Sequence, residues 1–127
     1  MSTLKVTNIQ ATGETATRAV SGVAAAWVNF DASTGSSRDS NNVASLTDNG
    51  TGDFTVNFSN NMDNDDYAFA GSACTTAFNT TTIWCQPEQV SGFLTSSITA
   101  TIGYTNHTSN NVIDYEGVGI VIHGDLA

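Results

Sequence analysis

Basic residues are almost missing from this chain of 127 residues: Lys5, Arg18 and Arg38 stand against twelve acidic ones, for a net charge of −9. Such a balance repels phosphate backbones and anionic headgroups, which excludes nucleic-acid binding and argues against adhesion to an acidic membrane. Charged residues of both signs make up only 12% of the chain, roughly half the usual share. The longest apolar stretch, Val23 to Val28, is too short to span a bilayer. The start, Met1-Ser2-Thr3-Leu4-Lys5-Val6, lacks the basic and apolar regions of a secretion signal. The expectation is a protein made in a cytosol, leaving it only as part of a larger body.

Chemistry-bearing patterns are missing as well. There is no phosphate-cradling glycine loop, no HExxH and no GxSxG. The two histidines lie apart: His107 in an Asn/Thr turn, and His123 at the polar end of the last apolar run. The turn Asp63-Asn64-Asp65-Asp66 offers oxygen ligands but lacks the spacing and the bidentate Glu of a calcium loop, so a solvated turn is expected. These features point away from an enzyme and call for no cofactor or metal. The four Asn-x-Ser/Thr triplets, at Asn49, Asn57, Asn79 and Asn106, are expected to stay unglycosylated.

Cys74 and Cys85 do not have metal or redox spacing. If the chain turns at Asn79-Thr80, the two face each other across a hairpin and a disulfide becomes geometrically allowed. In a reducing cytosol the same pair stays as thiols.

What the chain does have is Thr, Asn, Ser and Gly in place of charge, with 39% hydrophobic residues. Short polar side chains compete for their own backbone and favour strands and turns over helix interiors. Apolar and polar residues alternate with period two in Phe54-Thr55-Val56-Asn57-Phe58. They alternate again from Leu94 to Tyr104 (Leu94, Ile98, Ala100, Ile102 and Tyr104 on one face), at Tyr67 and Phe69, and at Val118, Ile120 and Ile122. Turn residues separate these runs, most clearly Asp48-Asn49-Gly50-Thr51-Gly52. About eight strands follow, near 3–9, 22–30, 38–47, 53–59, 66–75, 81–90, 93–105 and 113–124. The Ala-rich stretch Thr15 to Ala26 is the one helix candidate, and its β-branched and Gly content weakens it.

The fold expected is all-β: an antiparallel β-sandwich or jelly roll over residues 18–127, preceded by an N-terminal arm and spacer over 1–17. Leu4, Val6 and Ile9 make the arm a candidate for partner contact, either with its own domain or with a neighbouring protomer. A small core, a detachable strand and low surface charge together suggest a homo-oligomer, with a trimer as the expected form. Trp27 is expected in the core. Trp84 alternates with Ile83 and Cys85, so one face of that strand points outward; Trp84 is the better candidate for a subunit or ligand contact.

Ala26-Trp27-Val28-Asn29-Phe30-Asp31, followed by the run from Arg38 to Phe58, resembles a module widespread in bacteriophage tail-fibre and other virion proteins, especially of phages of marine bacteria. The pattern of that module reads AWVNF, a Gly-rich turn, R-x-S-x-N-V-x-S-[IL]-T-D-N-G-T-G-D-[YF]-T-V-N-F, then a Met and a Tyr strand, which Met62 and Tyr67 to Gly71 fit. The opening Thr3 to Gln10 and the close Val118 to Asp125 are similar to its ends, while Ser72 to Glu116 shows no likeness. The resemblance implies a structural protein on the outside of a virion, often trimeric, contacting other virion proteins and, as a fibre, a host-surface glycan. It carries no catalytic residues. A capsid decoration protein bound to the head is the alternative, favoured by the lack of a shaft, and a free carbohydrate-binding module is a third reading.

Overall fold

The computed structural model describes residues 6, 8–9, 18–19, 23–75, 82–105 and 109–127. The strands are β1 (Asn8–Ile9), β2 (Arg18–Ala19), β3 (Ala26–Asp31), β4 (Ser36–Asn41), β5 (Val43–Gly50), β6 (Asp53–Phe58), β7 (Ala68–Cys74), β8 (Thr82–Pro87), β9 (Phe93–Leu94), β10 (Ser97–Thr105), β11 (Asn110–Val112) and β12 (Gly117–His123). No α-helix occurs among the described residues; a single 3-10 turn at Val90–Gly92 is the only helical element there. The fold is all-β, and every strand pairing among the described residues is antiparallel, as the alternation predicts.

One sheet has the order β4-β3-β12-β7. The other is organised by β10, which pairs with β6 and β11 along one edge and with β9 and β8 along the other. Residue 103 shows the arrangement: Gly103 lies opposite Trp84 on one side and opposite Val112 on the other. The faces turned towards each other carry the predicted alternating residues. Phe54, Val56, Phe58, Ile98, Ala100, Ile102, Val118, Ile120 and Ile122 are all buried. Phe30 of β3 meets Phe54 of β6 across the gap, rings 5.3 Å apart and tilted by 56°, a favoured aromatic geometry. Burial of this apolar surface is the main stabilising term of the fold.

Two expected strands are each two. Residues 38–47 do not run as one strand, because Asn42 adopts φ 55° and turns the chain from β4 in one sheet to β5 in the other. Asn tolerates this left-handed conformation better than most residues. Its side chain also clasps Asn60: Oδ1 accepts from the Asn60 N–H at 2.8 Å, and Nδ2 donates to the Asn60 carbonyl at 3.1 Å. Likewise residues 93–105 fold back at Thr95–Ser96, so Leu94 pairs with Ser97 and is itself exposed.

The 48–52 turn is tied into the sheet. Asp48 accepts from Gly50 N–H at 2.9 Å. Gly52, buried at φ 68°, donates to Asp114 at 2.6 Å and accepts from Ile102 N–H at 2.8 Å. A Cβ here would also lie 2.8 Å from Val112 Cβ, so both backbone conformation and space require glycine.

β1 and β2 pair antiparallel as a two-stranded ribbon that belongs to neither sheet. This pairing joins residues on both sides of the boundary expected between 17 and 18.

Candidate functional site

The outer face of the six-stranded sheet is built by the side chains that alternate with the core. Reading across strands, Thr47, Thr55 and Thr99 form one row, and Asp53, Thr101 and Gln86 form the next. Val112, Gly103 and Trp84 form a third, and Asn110, Thr105 and Thr82 a fourth. Directly paired residues of an antiparallel sheet share a face, so each row lies on one surface.

The two halves of this face differ. On the β5–β6 side the polar groups satisfy one another. Asn49 donates to Thr55 at 2.9 Å and to Asp53 at 3.2 Å. Asn57 donates to Thr47 at 3.0 Å and to the Ser45 hydroxyl at 3.1 Å. The Thr55 and Thr99 hydroxyls are 3.1 Å apart. On the β8–β10 side, the Thr101 hydroxyl and Gln86 amide have no side-chain hydrogen bond among the described residues. Beside them lies an apolar row. Trp84 is half-buried, and a Cβ on Gly103 would lie 2.6 Å from its Cζ2 and 3.0 Å from its Cη2. The indole therefore lies across the strand over Gly103, a posture only glycine at 103 permits. Val112, at the other end of the row, is 49% exposed.

Trp84 thus sits on the outward face, as expected from its alternation with Cys85. Trp27 does not sit in the core: Ala26, Val28 and Phe30 point inward, and Trp27 is half-buried on the outer face of the four-stranded sheet, paired with Val121 and Asn41. The reason is parity. Residues 26, 28 and 30 form one apolar set, and Trp27 belongs to the other, where an aromatic ring covers its neighbours without filling the interior.

Cys74 and Cys85 do not face each other. β7 and β8 belong to different sheets, and Cys74 is exposed while Cys85 belongs to the core. Cys74 is exposed and lies over Gly117; Cys85 is buried, its Sγ 2.7 Å from where a Cβ on Gly71 would be. Both are free. Burial pushes the Cys85 thiol up to about 12, which keeps it protonated and unreactive.

Val6 is 47% exposed, and Ile9 lies in β1. Leu4 and His107 fall outside the described residues. His123 is exposed at the end of β12. The 63–66 turn is exposed and closed by Asn64, which accepts from Asp66 N–H at 3.0 Å. No group of three or more His, Cys, Asp or Glu able to hold a metal occurs among the described residues.

Two open depressions lie among the described residues. One, of about 410 Å³, is lined by Asn29, Arg38, Cys74, Thr75, Glu116 and Gly117. Arg38 there is engaged with Asp31 at 3.0 Å and with the Phe30 carbonyl at 3.0 Å. A hydrogen bond from Ser33 and the Arg38 charge hold the Asp31 carboxyl below its ordinary range. The other, of about 240 Å³, is lined by Asp65, Asp66, Tyr67, Val90 and Phe93. Tyr67 donates to the carbonyls of Leu94 and Ser97 at 3.0 and 2.9 Å, and burial raises its hydroxyl to about 12.

Sequence reasoning named Trp84 but missed Gly103, Val112, Thr101 and Gln86 as its surroundings. The Thr99-x-Thr101-x-Gly103 alternation was the available signal for the β10 part. Gln86 and Val112 join only through strand pairing. No family model, curated protein or solved structure matches this chain.

Proposed function

We propose that this chain is a structural module on the outside of a bacteriophage particle, of the tail-fibre kind, assembled as a homotrimer and turned towards the host surface. One observation carries the reading. The segment that resembles virion modules, residues 26–58, is the frame of the sandwich. It supplies β3 to β6 across both sheets, the buried Phe30–Phe54 contact, the left-handed corner at Asn42 and the glycine turn at 50–52. Residues with such duties specify a scaffold, and a scaffold leaves its outer faces and loops free to carry recognition. Low charge, hydroxyl-rich outer rows and exposed apolar residues such as Val6 and Leu126 suit a protein that works against neighbours in a particle.

The test is location. Antibodies raised against the chain are used to label intact particles of the producing phage in electron micrographs. Label on the tail supports the fibre reading, label on the head replaces it with a decoration protein, and particles without label refute both. Sedimentation of the isolated chain tests the trimer: a stable monomer at micromolar concentration argues against it.

A further inference from the structure

We propose that the Trp84–Gly103–Val112 row is a binding platform for a pyranose unit of a neutral glycan. The inference deepens the virion reading, since it names what the outward surface takes hold of.

Three observations meet at this place. The first is the indole laid across the sheet over Gly103, with Val112 continuing the apolar row. Three strands span roughly 10 Å, enough for one sugar ring and its substituents. A pyranose has a C–H face that stacks on an aromatic ring, and a rim of hydroxyls that must exchange their water for other polar partners. The second is the rim. Thr101 and Gln86 lie in the adjacent row, roughly 7 Å along the strands, and among the described residues their side chains have no hydrogen-bond partner. They therefore keep a hydroxyl and an amide to offer. The β5–β6 half of the same face, already satisfied by its own Asn–Thr ladder, has fewer such groups to give. The third is charge. Asp53 borders the row, and the chain carries −9, so an anionic ligand is repelled and an uncharged one is favoured.

The remaining surfaces carry less. The Asp65–Phe93 depression has its one buried hydroxyl already bonded, and the Asn29–Gly117 depression by the four-stranded sheet has its one cation, Arg38, already held by Asp31 and the Phe30 carbonyl.

The experiment is heteronuclear NMR on the full chain, following the two indole N–H resonances. The probes are maltohexaose, cellohexaose, laminarihexaose and N-acetylchitohexaose, with a hexa-arginine peptide as the cationic alternative. The expected result is that at least one oligosaccharide shifts the Trp84 resonance at low-millimolar concentration and leaves that of Trp27 unmoved. Trp84→Ala should weaken this binding about tenfold or more. Thr101→Val, which keeps the shape of the side chain, should weaken it severalfold at an unchanged thermal midpoint, and serves if Trp84→Ala fails to fold. No shift with any of the four sugars overturns the proposal, as does a Trp84 shift with the peptide alone. Dissociation of an oligomer on Trp84→Ala, without sugar binding in the parent, overturns it in favour of a second copy of the chain. Particle labelling is read separately, so labelled particles with an inert Trp84 reject the platform and keep the virion reading.

Discussion

The two outer faces of the sandwich are made of different material on the same interior. Over the four-stranded sheet, Ser72 and Ala70 of β7 lie beside Gly119 and Val121 of β12, a low strip with the Trp27 ring next to Val121. Over the six-stranded sheet, rows of Thr and Asn hydrogen-bond across strands, and the large ring, Trp84, lies on a glycine. Both faces answer to a core of nearly identical chemistry. Alternation therefore controls the inside closely and leaves the outside to vary, which is where two faces of one domain can take up different work.

Breaking the shared interior should have the largest effect. Phe30→Ala removes a fully buried ring from the inter-sheet contact and should cost about 3–5 kcal/mol, read as a lowered midpoint in urea unfolding.

Next in size is alkaline pH, which reaches the interior and not the outer faces. The buried Cys85 thiol and Tyr67 hydroxyl both have folded values raised to about 12. Each is neutral in the fold and ionises more readily unfolded, so its contribution is complete below the unfolded value and is lost as pH rises through the folded one. Thermal midpoints should fall as pH rises from about 9 towards about 12, and Cys85→Ala should remove the earlier part of that fall. A midpoint flat over this window would show that both groups ionise freely in the fold.

A smaller effect separates the six-stranded face from the core. Gly103→Ala places a Cβ against the Asn111 carbonyl and the Trp84 ring, and should cost about 1–3 kcal/mol through overpacking. Its near-ultraviolet dichroism should change as the indole is displaced, with far-ultraviolet signal retained.

The smallest effects compare the two rings directly. Trp27→Ala, half-buried beside Val121, should cost about 1–2 kcal/mol, clearly less than Phe30→Ala. A loss equal to that of Phe30→Ala would return Trp27 to the core.

By itself the sequence determined the fold class and most of the interior. Phe54, Val56 and Phe58, Ile98, Ala100 and Ile102, and Val118, Ile120 and Ile122 are inside because a strand sends alternate residues to opposite faces, and only one set in each run is apolar. Trp27 is the exception: it shares its parity with Asn29 and Asp31, so alternation places it outside, and only the general tendency of large aromatic rings to fill cores points the other way. Tertiary structure alone decided which strands meet. Asn42 divides an apparently continuous strand between two sheets, and β7 and β8 leave Cys74 and Cys85 apart instead of forming a hairpin. It also brought Gln86, Thr101, Gly103 and Val112 around Trp84 from three strands. Pairing is a long-range choice, made by the total burial of all strands together, and no local run of residues encodes it.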